Sequence, residues 1–208
     1  MDKGPRNDRW YLKLMAPNVK GNKFAWLDPS SIYINHQAFN HLIDDLYLDL
    51  IDINCDVVAG LDAMGFVLGG ALANRFSIGF LPIRKSGKLC VETDKVVFTN
   101  YTGKKQYMEM RKTAFPSGTR ILVVDQWVET GGTMDAAIRL IEKQHGVVAG
   151  LASIAFEDNK YTQALRKKYF CASAVLPGSR LQTECNAQNL SSFKNYKTKD
   201  TYTFSIDH

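Results

Sequence analysis

One run in the second half of the chain brings together a carboxylate, two hydroxyl groups and two glycines. Four apolar residues, 121–124, lead to Asp125, and Thr130-Gly131-Gly132-Thr133 follows before a helical pattern begins. Glycines at a helix N-terminus leave backbone N–H groups open, and such a nest binds a phosphate without needing Lys or Arg. An acid at the carboxyl end of a buried strand lies where ligands bind in open α/β sheets. The spacing therefore predicts a sugar-phosphate site, in which the loop takes the 5-phosphate and Asp125 takes the ring hydroxyls.

A second turn of the same kind occurs earlier in the chain. The strand-like run 57–61 passes through Asp62-Ala63-Met64-Gly65 into a helical pattern, and the next strand ends on Arg84-Lys85-Ser86-Gly87-Lys88. Peptide N–H groups on one side and cationic side chains on the other are what a pyrophosphate group requires. The turn, with the cations that the next strand delivers close to it, therefore predicts a second anion site.

Strands and helices that alternate along the chain must position these two turns. Apolar residues at helical spacing predict a helix over 36–51 and another from Gly65 to near Ser77. Short apolar runs predict strands at 57–61, 78–83, 121–124, 147–156 and 172–176, and further helices end near His145 and cover 161–168. The stretch 85–112 has the modest alternation of a β-hairpin arm or flap rather than a core layer. This alternation predicts an α/β fold with a doubly wound, mostly parallel sheet.

Composition narrows the class of protein. The chain has 208 residues, 45% of them hydrophobic and 23% charged, which suits one well-buried domain. No apolar stretch is long enough to span a membrane, and four widely spaced cysteines without a CxxC pair indicate reduced thiols and a cytoplasmic location. The net charge of +5 comes from scattered Lys and Arg, so a surface that attracts small anions is favoured over nucleic-acid binding. Residues 1–10 are polar, and we expect them to be frayed.

The first run resembles the phosphoribosyl-diphosphate (PRPP) motif of the type I phosphoribosyltransferases: an apolar strand, acidic residues, a short variable stretch and Thr-Gly-Gly-Thr. The second turn and the Arg84–Leu89 run are similar in order and spacing to the adenine phosphoribosyltransferases, whose motifs are Gly-Leu/Ile-Asp/Glu-x-Arg-Gly-Phe and Arg-Lys-x-Gly-Lys-Leu-Pro. The resemblance covers roughly residues 16–176.

The resemblance implies transfer of a 5-phosphoribosyl group from PRPP to a purine, with release of pyrophosphate and with Mg²⁺ bridging the diphosphate. It places the 5-phosphate on residues 129–133 and the ribose on Asp125 and Gln126, with Asp125 also near the metal, largely through the ligand. The matching pyrophosphate-site residues are Ala63, Met64, Gly65, Lys85 and Lys88. The residues expected near the base are Phe24, Ala25 and Trp127.

The resemblance also implies an organisation for the whole chain. We expect one phosphoribosyltransferase domain over 1–208, with an N-terminal hood segment at 1–35 over the purine and a core at 36–176. The core would carry a flap at about 90–110, and 177–208 would be a tail or covering segment. The expected partners are PRPP, a purine base or nucleoside monophosphate and a second copy of the chain in a homodimer.

The chain departs from the family pattern at four places. Gln126 replaces the second acid of the PRPP motif, and Met64 stands where the adenine enzymes have an Arg beside the pyrophosphate. The flap's Glu-Tyr-Gly-Lys run is matched only by Tyr101-Thr102-Gly103-Lys104, so its Glu is missing. The hood's Phe-Arg-Asp becomes Phe24-Ala25-Trp26, which lacks the Arg that contacts the base. Loss of the Arg at position 64, of the flap Glu and of one motif acid favours a non-catalytic PRPP- or nucleotide-binding sensor or interaction protein. Retention of both nests, Asp125, Lys85 and Lys88 favours a purine phosphoribosyltransferase.

Two residues of the PRPP-like run have two interpretations each. Glu129 precedes Thr130, where the adenine enzymes have a small residue and the hypoxanthine-guanine branch carries an Asp near the purine. It is either the acid/base for the accepting base, with Lys85 and Lys88 as the other catalytic candidates, or a solvated loop carboxylate. Trp127 either stacks on a base or packs in the core or an interface. The four histidines show no catalytic pairing.

Overall fold

A seven-stranded sheet forms the centre of the protein in the computed structural model, which describes residues 9–20, 23–99 and 104–187. Its strand order is β11-β9-β7-β3-β4-β6-β5. The strands are β3 (Val57–Leu61), β4 (Gly79–Lys85), β5 (Thr93–Thr99), β6 (Lys105–Arg111), β7 (Arg120–Val124), β9 (Val147–Ser153) and β11 (Cys171–Ser173). The five strands β11, β9, β7, β3 and β4 are parallel, whereas β6 and β5 are antiparallel to their neighbours. The predicted doubly wound, mostly parallel sheet is confirmed.

Four other described strands form two small sheets beside the main one. An antiparallel pair joins β1 (Ala16–Lys20) to β2 (Lys23–Asp28), and a parallel pair joins β8 (Trp127–Val128) to β10 (Ala155–Phe156). The helices are α1 (Ser30–Ile34), α2 (His36–Asp49), α3 (Gly65–Phe76), α4 (Gly132–Lys143), α5 (Lys160–Lys168) and α6 (Arg180–Ala187), preceded by a 3₁₀ helix at Trp10–Leu14. In the described ranges, none of these helices combines the length and apolar content needed to cross a membrane.

The central strands carry two hydrophobic cores because successive side chains point to opposite faces of a sheet. Leu122 and Val124 of β7 pack with α2, α3 and the 3₁₀ helix on one face. Ile121 and Val123 pack with α4 and the β5–β6 hairpin on the other face. Both faces are therefore covered, which is the usual arrangement for parallel strands that read as continuous apolar runs.

Three regions differ from the sequence-based expectation. The stretch 85–112 does contain a hairpin, β5–β6, but β6 pairs with β4 and Phe98, Met108 and Met110 are buried, so the hairpin extends the main sheet instead of standing apart. The strand predicted at 147–156 is interrupted, because the Ile154 N–H donates to the Gln126 carbonyl at 3.1 Å and starts the β8–β10 pair. Strand β11 also ends at Ser173, short of the predicted 176.

The two ends of the described chain pack more closely than the sequence suggests. Arg9 donates to the carbonyls of Ser173 and Ala174 at 2.6 and 2.9 Å and forms an ion pair with Asp49 at 2.8 Å, so it is not frayed. Cys185 of α6 is buried in the core beside α2, so 180–187 is a covering helix. Residues 1–8 and 188–208 lie outside the described residues, and so does the 100–103 part of the predicted flap.

Candidate functional site

A cleft of about 290 Å³ opens at the carboxyl ends of β3 and β7. The chain runs from β3 to β4 on one side of this point and from β7 to β9 and β11 on the other, so the cleft lies where the strand order reverses. Such a switch point is the usual ligand-binding position in open α/β sheets. The lining residues are Asp62, Ala63, Met64, Lys85, Phe98, Gln106, 125–134 and Glu157.

Helix α4 begins directly beneath the cleft. Gly131 stands at its N-cap with φ of +76°, a left-handed conformation that favours glycine, and no side chain among the described residues caps the helix there. Thr130, Gly132 and Thr133 line the cleft beside it. The end of α4 therefore presents backbone N–H groups and two hydroxyl-bearing residues to the cavity.

Gly132 also lies against the end of strand β5. A Cβ atom on Gly132 would lie 2.7 Å from the carbonyl oxygen of Thr99, at the end of β5. The absence of a side chain at this position thus allows the hairpin to approach the loop. Substituting Val for Gly132 would displace β5 as well as any ligand, so that variant is not a clean probe of phosphate binding.

Asp125 stands at the end of β7 and has few groups that stabilise its charge. Burial raises its pKa to about 7, against the opposing effects of the Gln126 N–H, which donates to Oδ1 at 2.7 Å, and of nearby Lys85. A carboxylate that is costly to ionise in the free protein is typical of a functional site, where a ligand supplies the missing hydrogen bonds.

Gln126, beside Asp125, is fixed by α1. The Tyr33 hydroxyl donates to Gln126 Oε1 at 2.9 Å. Burial raises the pKa of Tyr33, and the charges of Asp125 and Asp28 raise it further, so the hydroxyl keeps its proton and remains a donor. Tyr33 follows no motif, and no sequence signal marked it as part of the site.

The turn after β3 lies against the end of β7. A Cβ on Gly65 would be 2.6 Å from the Val124 carbonyl oxygen and 3.1 Å from the Asp125 Cα, so a side chain there would push α3 away from the site. Gly65 is buried and does not line the cleft, whereas Ala63 and Met64 do. The peptide bond between Asp62 and Ala63 is cis.

Three cations are predicted near this turn, Arg84, Lys85 and Lys88, and they differ in whether they line the cleft. Lys85 lines the cleft. Arg84 instead forms an ion pair with Asp62 at 3.2 Å and lies over the Phe66 ring, 5.5 Å from its centroid. Lys88 is exposed and does not line the cavity; its backbone N–H donates to Glu109 Oε1 at 2.8 Å.

The far wall of the cleft is formed by the parallel pair β8–β10. Trp127 is half-buried, and its indole N–H donates to Glu157 Oε1 at 3.1 Å. Glu129 also lines the cleft, and burial raises its pKa. Glu157 was missed in the sequence, although a carboxylate directly after a buried strand is the same signal that marked Asp125. Phe24 and Ala25 lie in β2, and their side chains are outside the described part.

Comparison with known proteins agrees with this geometry. Residues 30–180 match the phosphoribosyl transferase domain family. The adenine phosphoribosyltransferase of Dinoroseobacter shibae is 41% identical over 144 residues, which is 69% of this chain and 79% of that protein. That of Cereibacter sphaeroides is 40% identical over 127 residues, covering 61% of this chain and 71% of the relative.

Solved structures give the same result. The adenine phosphoribosyltransferase of Thermoanaerobacter pseudethanolicus superimposes with a TM-score of 0.69 at 30% identity, covering 80% of this chain and 98% of that one. The Saccharomyces cerevisiae enzyme, complexed with an imino-altritol bisphosphate and adenine, has a TM-score of 0.69 at 28% identity, with the same coverage of 80% and 98%. The chain therefore belongs to the phosphoribosyltransferase family, as a divergent member of its adenine phosphoribosyltransferase branch.

Proposed function

We propose that this protein transfers a 5-phosphoribosyl group from PRPP to adenine and releases pyrophosphate. The observation that carries the proposal is that one cleft joins the N-terminus of α4, a strand-end carboxylate and the turn after β3. The relatives at about 40% identity bear the name of this activity, which supports adenine as the acceptor.

The phosphoribosyl group would extend from α4 to β7. Residues 130–133 would bind the 5-phosphate through backbone N–H groups, assisted by the helix dipole. Asp125 would accept hydrogen bonds from the ribose hydroxyls, and Gln126 would add a neutral acceptor. Binding then supplies Asp125 with the donors that the free protein lacks, so its pKa falls and its charged form is stabilised.

The leaving pyrophosphate would lie against the turn 63–65. Lys85 is the described cation that lines this part of the cleft, and Met64 beside it is 37% exposed and carries no charge. Lys88 follows three residues after Lys85, is exposed and does not line the cleft, so its side chain would have to turn toward the cleft to assist. Because Lys85 must offset much of the pyrophosphate charge, we expect slower turnover than in a relative with Arg at the position of Met64.

The acceptor base must lose its ring-nitrogen proton as it attacks. A bond forms between that nitrogen and C1 of the ribose, the bond from C1 to the pyrophosphate oxygen breaks with its electron pair leaving on the oxygen, and the proton passes to a nearby base. Glu129 suits this role, since it lines the cleft and burial raises its pKa.

Magnesium would enter with PRPP. In the described residues, no group of three or more His, Cys, Asp and Glu side chains is placed to hold a metal by itself. Mg²⁺ needs only one or two carboxylates when phosphates and waters complete its shell, and Asp125, which lines the cleft, would supply one of them. The ion, when bound, would offset the charge of the diphosphate.

The proposal extends to the organisation of the chain. We retain a single domain with an N-terminal hood at 1–35, a core at 36–176, a flap near 90–110 and a tail at 177–208, assembled as a homodimer in the cytoplasm. Exposed Val67 and Phe80 lie on α3 and β4 near the turn 63–65, which suits a partner copy at the pyrophosphate end.

The test is a turnover and thermal-shift panel with PRPP, Mg²⁺ and adenine, hypoxanthine or guanine. We expect formation of AMP from adenine, a rise in Tm with PRPP and Mg²⁺, and little product from the other two bases. Stabilisation by PRPP without turnover of any purine would overturn the enzymatic proposal and identify a ligand-binding sensor.

A further inference from the structure

Residues 126–129 line the cleft and are hydrogen-bonded along their length to residues 154–159. The Gln126 carbonyl accepts from the Ile154 N–H at 3.1 Å, and the Val128 carbonyl accepts from the Glu157 N–H at 2.9 Å. The Glu129 carbonyl accepts from Asn159 Nδ2 at 2.7 Å. These contacts fix the backbone of 126–129, so the side chains it carries are held in place.

Glu157 lies in the middle of residues 154–159, and its backbone hydrogen bonds do not involve its carboxylate. Its N–H is bonded to Val128, and its carbonyl accepts from the Thr162 hydroxyl. The side chain is 9% exposed, lines the cleft and accepts the Trp127 indole N–H through Oε1. The carboxylate therefore acts on the ring orientation more than on the pairing of the strands.

We infer that Glu157 is a positioning residue, which orients the Trp127 indole as the wall that the acceptor base packs against. The inference rests on the proposed transfer to a purine. A bicyclic indole offers a broad apolar face to a purine ring, and a ring held at its N–H edge has fewer orientations to lose when the base binds. The pair thus determines how well the base is held, while the phosphate loop and Asp125 lie elsewhere in the cleft.

The inference predicts separate effects on the two substrates. Replacing Glu157 by Leu removes the acceptor from the half-buried indole N–H, so the ring is no longer fixed before the base binds. The KM for adenine should rise by up to about tenfold, which is the cost of ordering one side chain on binding. The KM for PRPP and kcat should stay within about twofold. Glu157→Gln keeps a carbonyl acceptor of nearly the same shape and should restore the adenine KM to within about threefold of the parent.

A double-mutant cycle shows whether Glu157 acts through Trp127. Trp127→Phe also removes the N–H donor, so adding Glu157→Leu to Trp127→Phe should cause no further loss for adenine. Equal losses for adenine and PRPP, a Gln variant as poor as the Leu variant, or fully additive losses would overturn the positioning role.

A binding measurement separates this inference from the proposed activity. AMP should quench the indole fluorescence of the parent protein, and the part of the quenching that is due to Trp127 should be missing in Trp127→Phe. Glu157→Leu should require up to about tenfold more AMP for the same change, because the indole must then be ordered on binding. If no purine is turned over but this pattern holds, the activity is wrong and the positioning role stands; AMP binding that quenches the parent and Trp127→Phe equally sinks the positioning role.

Discussion

Two carboxylates in this protein occupy opposite electrostatic environments. Burial raises the pKa of Asp125 at the end of β7 to about 7. Burial also acts against ionisation of Glu109 in β6, but the N–H groups of Gly87, Leu89 and Lys88, with the charge of Lys95, outweigh it and lower its pKa to about 2. Glu109 is 2% exposed, so the difference comes from donors and not from access to water.

The comparison separates a structural acid from a candidate functional one. Glu109 accepts from Lys88 and Leu89 at 2.8 and 2.9 Å and from Thr93 at 3.3 Å, which fixes the loop after Lys85. Asp125 has one short backbone donor and faces a cleft. A satisfied carboxylate stabilises the fold, whereas an under-satisfied one destabilises it until a ligand arrives.

Asp125→Asn should produce the largest effect on function. Each hydrogen bond from a ribose hydroxyl to a charged acceptor contributes roughly 1.5–3 kcal/mol, so losing two charged contacts should weaken PRPP binding on the order of a hundredfold or more. Calorimetric titration with PRPP and Mg²⁺ measures this directly. The proposed placement of the ribose is wrong if Asp125→Asn binds PRPP as the parent does.

The same variant should gain stability without ligand, with a pH dependence of known sign. Because the folded-state pKa of Asp125 is raised above its usual 3.8, the folded protein retains a proton that the unfolded chain has released, and stability falls as the pH rises from about 4 to 7. Asn avoids that loss. We expect Tm to rise by several degrees at pH 8 and to match the parent near pH 4.

Met64→Arg should add a cation to the cleft, which would then stabilise negative charge better, as the surroundings of Glu109 do. One electrostatic donor at a site of developing charge is worth on the order of 3 kcal/mol, so turnover of adenine could rise by about a hundredfold. The added charge should also lower the pKa of Asp125, shifting the pH profile of kcat/KM to lower pH. The flap Glu of the family is also missing, so Tyr101→Glu, at the matching position, is tested alone and combined with Met64→Arg.

The outcome of that experiment separates the two functions that the sequence leaves open. A gain with either the single or the combined variant supports catalysis limited by leaving-group charge. If every variant binds PRPP but none turns over a purine, the sensor interpretation replaces the enzyme. Met64→Leu keeps the position apolar and is the matched control, since it should leave the rate unchanged.

Local patterns explain what the sequence could predict. The order of strand, Asp125, glycine loop and helix is local, since the apolar run and the glycine pair determine each element within a few residues, and the structure brings 125–134 to one cleft. The same holds for the turn after β3. The fold class followed because alternating strands and helices leave few ways to bury both faces of a sheet.

The features that the sequence could not predict depend on hydrogen-bond partners that are distant in the chain. Arg9 finds its acceptors 164 and 165 positions away, so no local pattern distinguishes it from a frayed terminus. The break at Ile154 depends on a bond to the distant Gln126, and the pairing of β6 with β4 depends on register between separate strands. Tyr33 enters the site through one hydroxyl, which composition and spacing do not mark.

Glu109→Gln should reduce stability and leave ligand binding less affected. The folded pKa of Glu109 is lowered to about 2 from 4.5, so its contribution is complete above the unfolded pKa and is lost as the pH falls toward 2. We expect a loss on the order of 2 kcal/mol at pH 7, measured by urea denaturation, that shrinks toward pH 3.

An exposed carboxylate in the same region provides the control for Glu109. Glu92 is 85% exposed and lies 3.4 Å from Lys112 in an exposed ion pair. Such pairs contribute about 0–1 kcal/mol, so Glu92→Gln should leave the denaturation midpoint nearly unchanged. If both variants lose the same stability, the buried carboxylate of Glu109 contributes no more to stability than the exposed one of Glu92.

Gln126→Ala should give the smallest functional effect and tests whether charge decides which acceptor matters. Gln126 is neutral, and its Oε1 already accepts from the Tyr33 hydroxyl at 2.9 Å, so its loss should weaken PRPP binding by roughly 1 kcal/mol, or several-fold. Tyr33→Phe frees that oxygen without removing it and should cost less than Gln126→Ala. The two affinities, measured beside that of Asp125→Asn, rank the acceptors. A Gln126 variant that lost more affinity than Asp125→Asn would mean that the ribose hydroxyls lie against the amide and that the raised pKa of Asp125 has another cause.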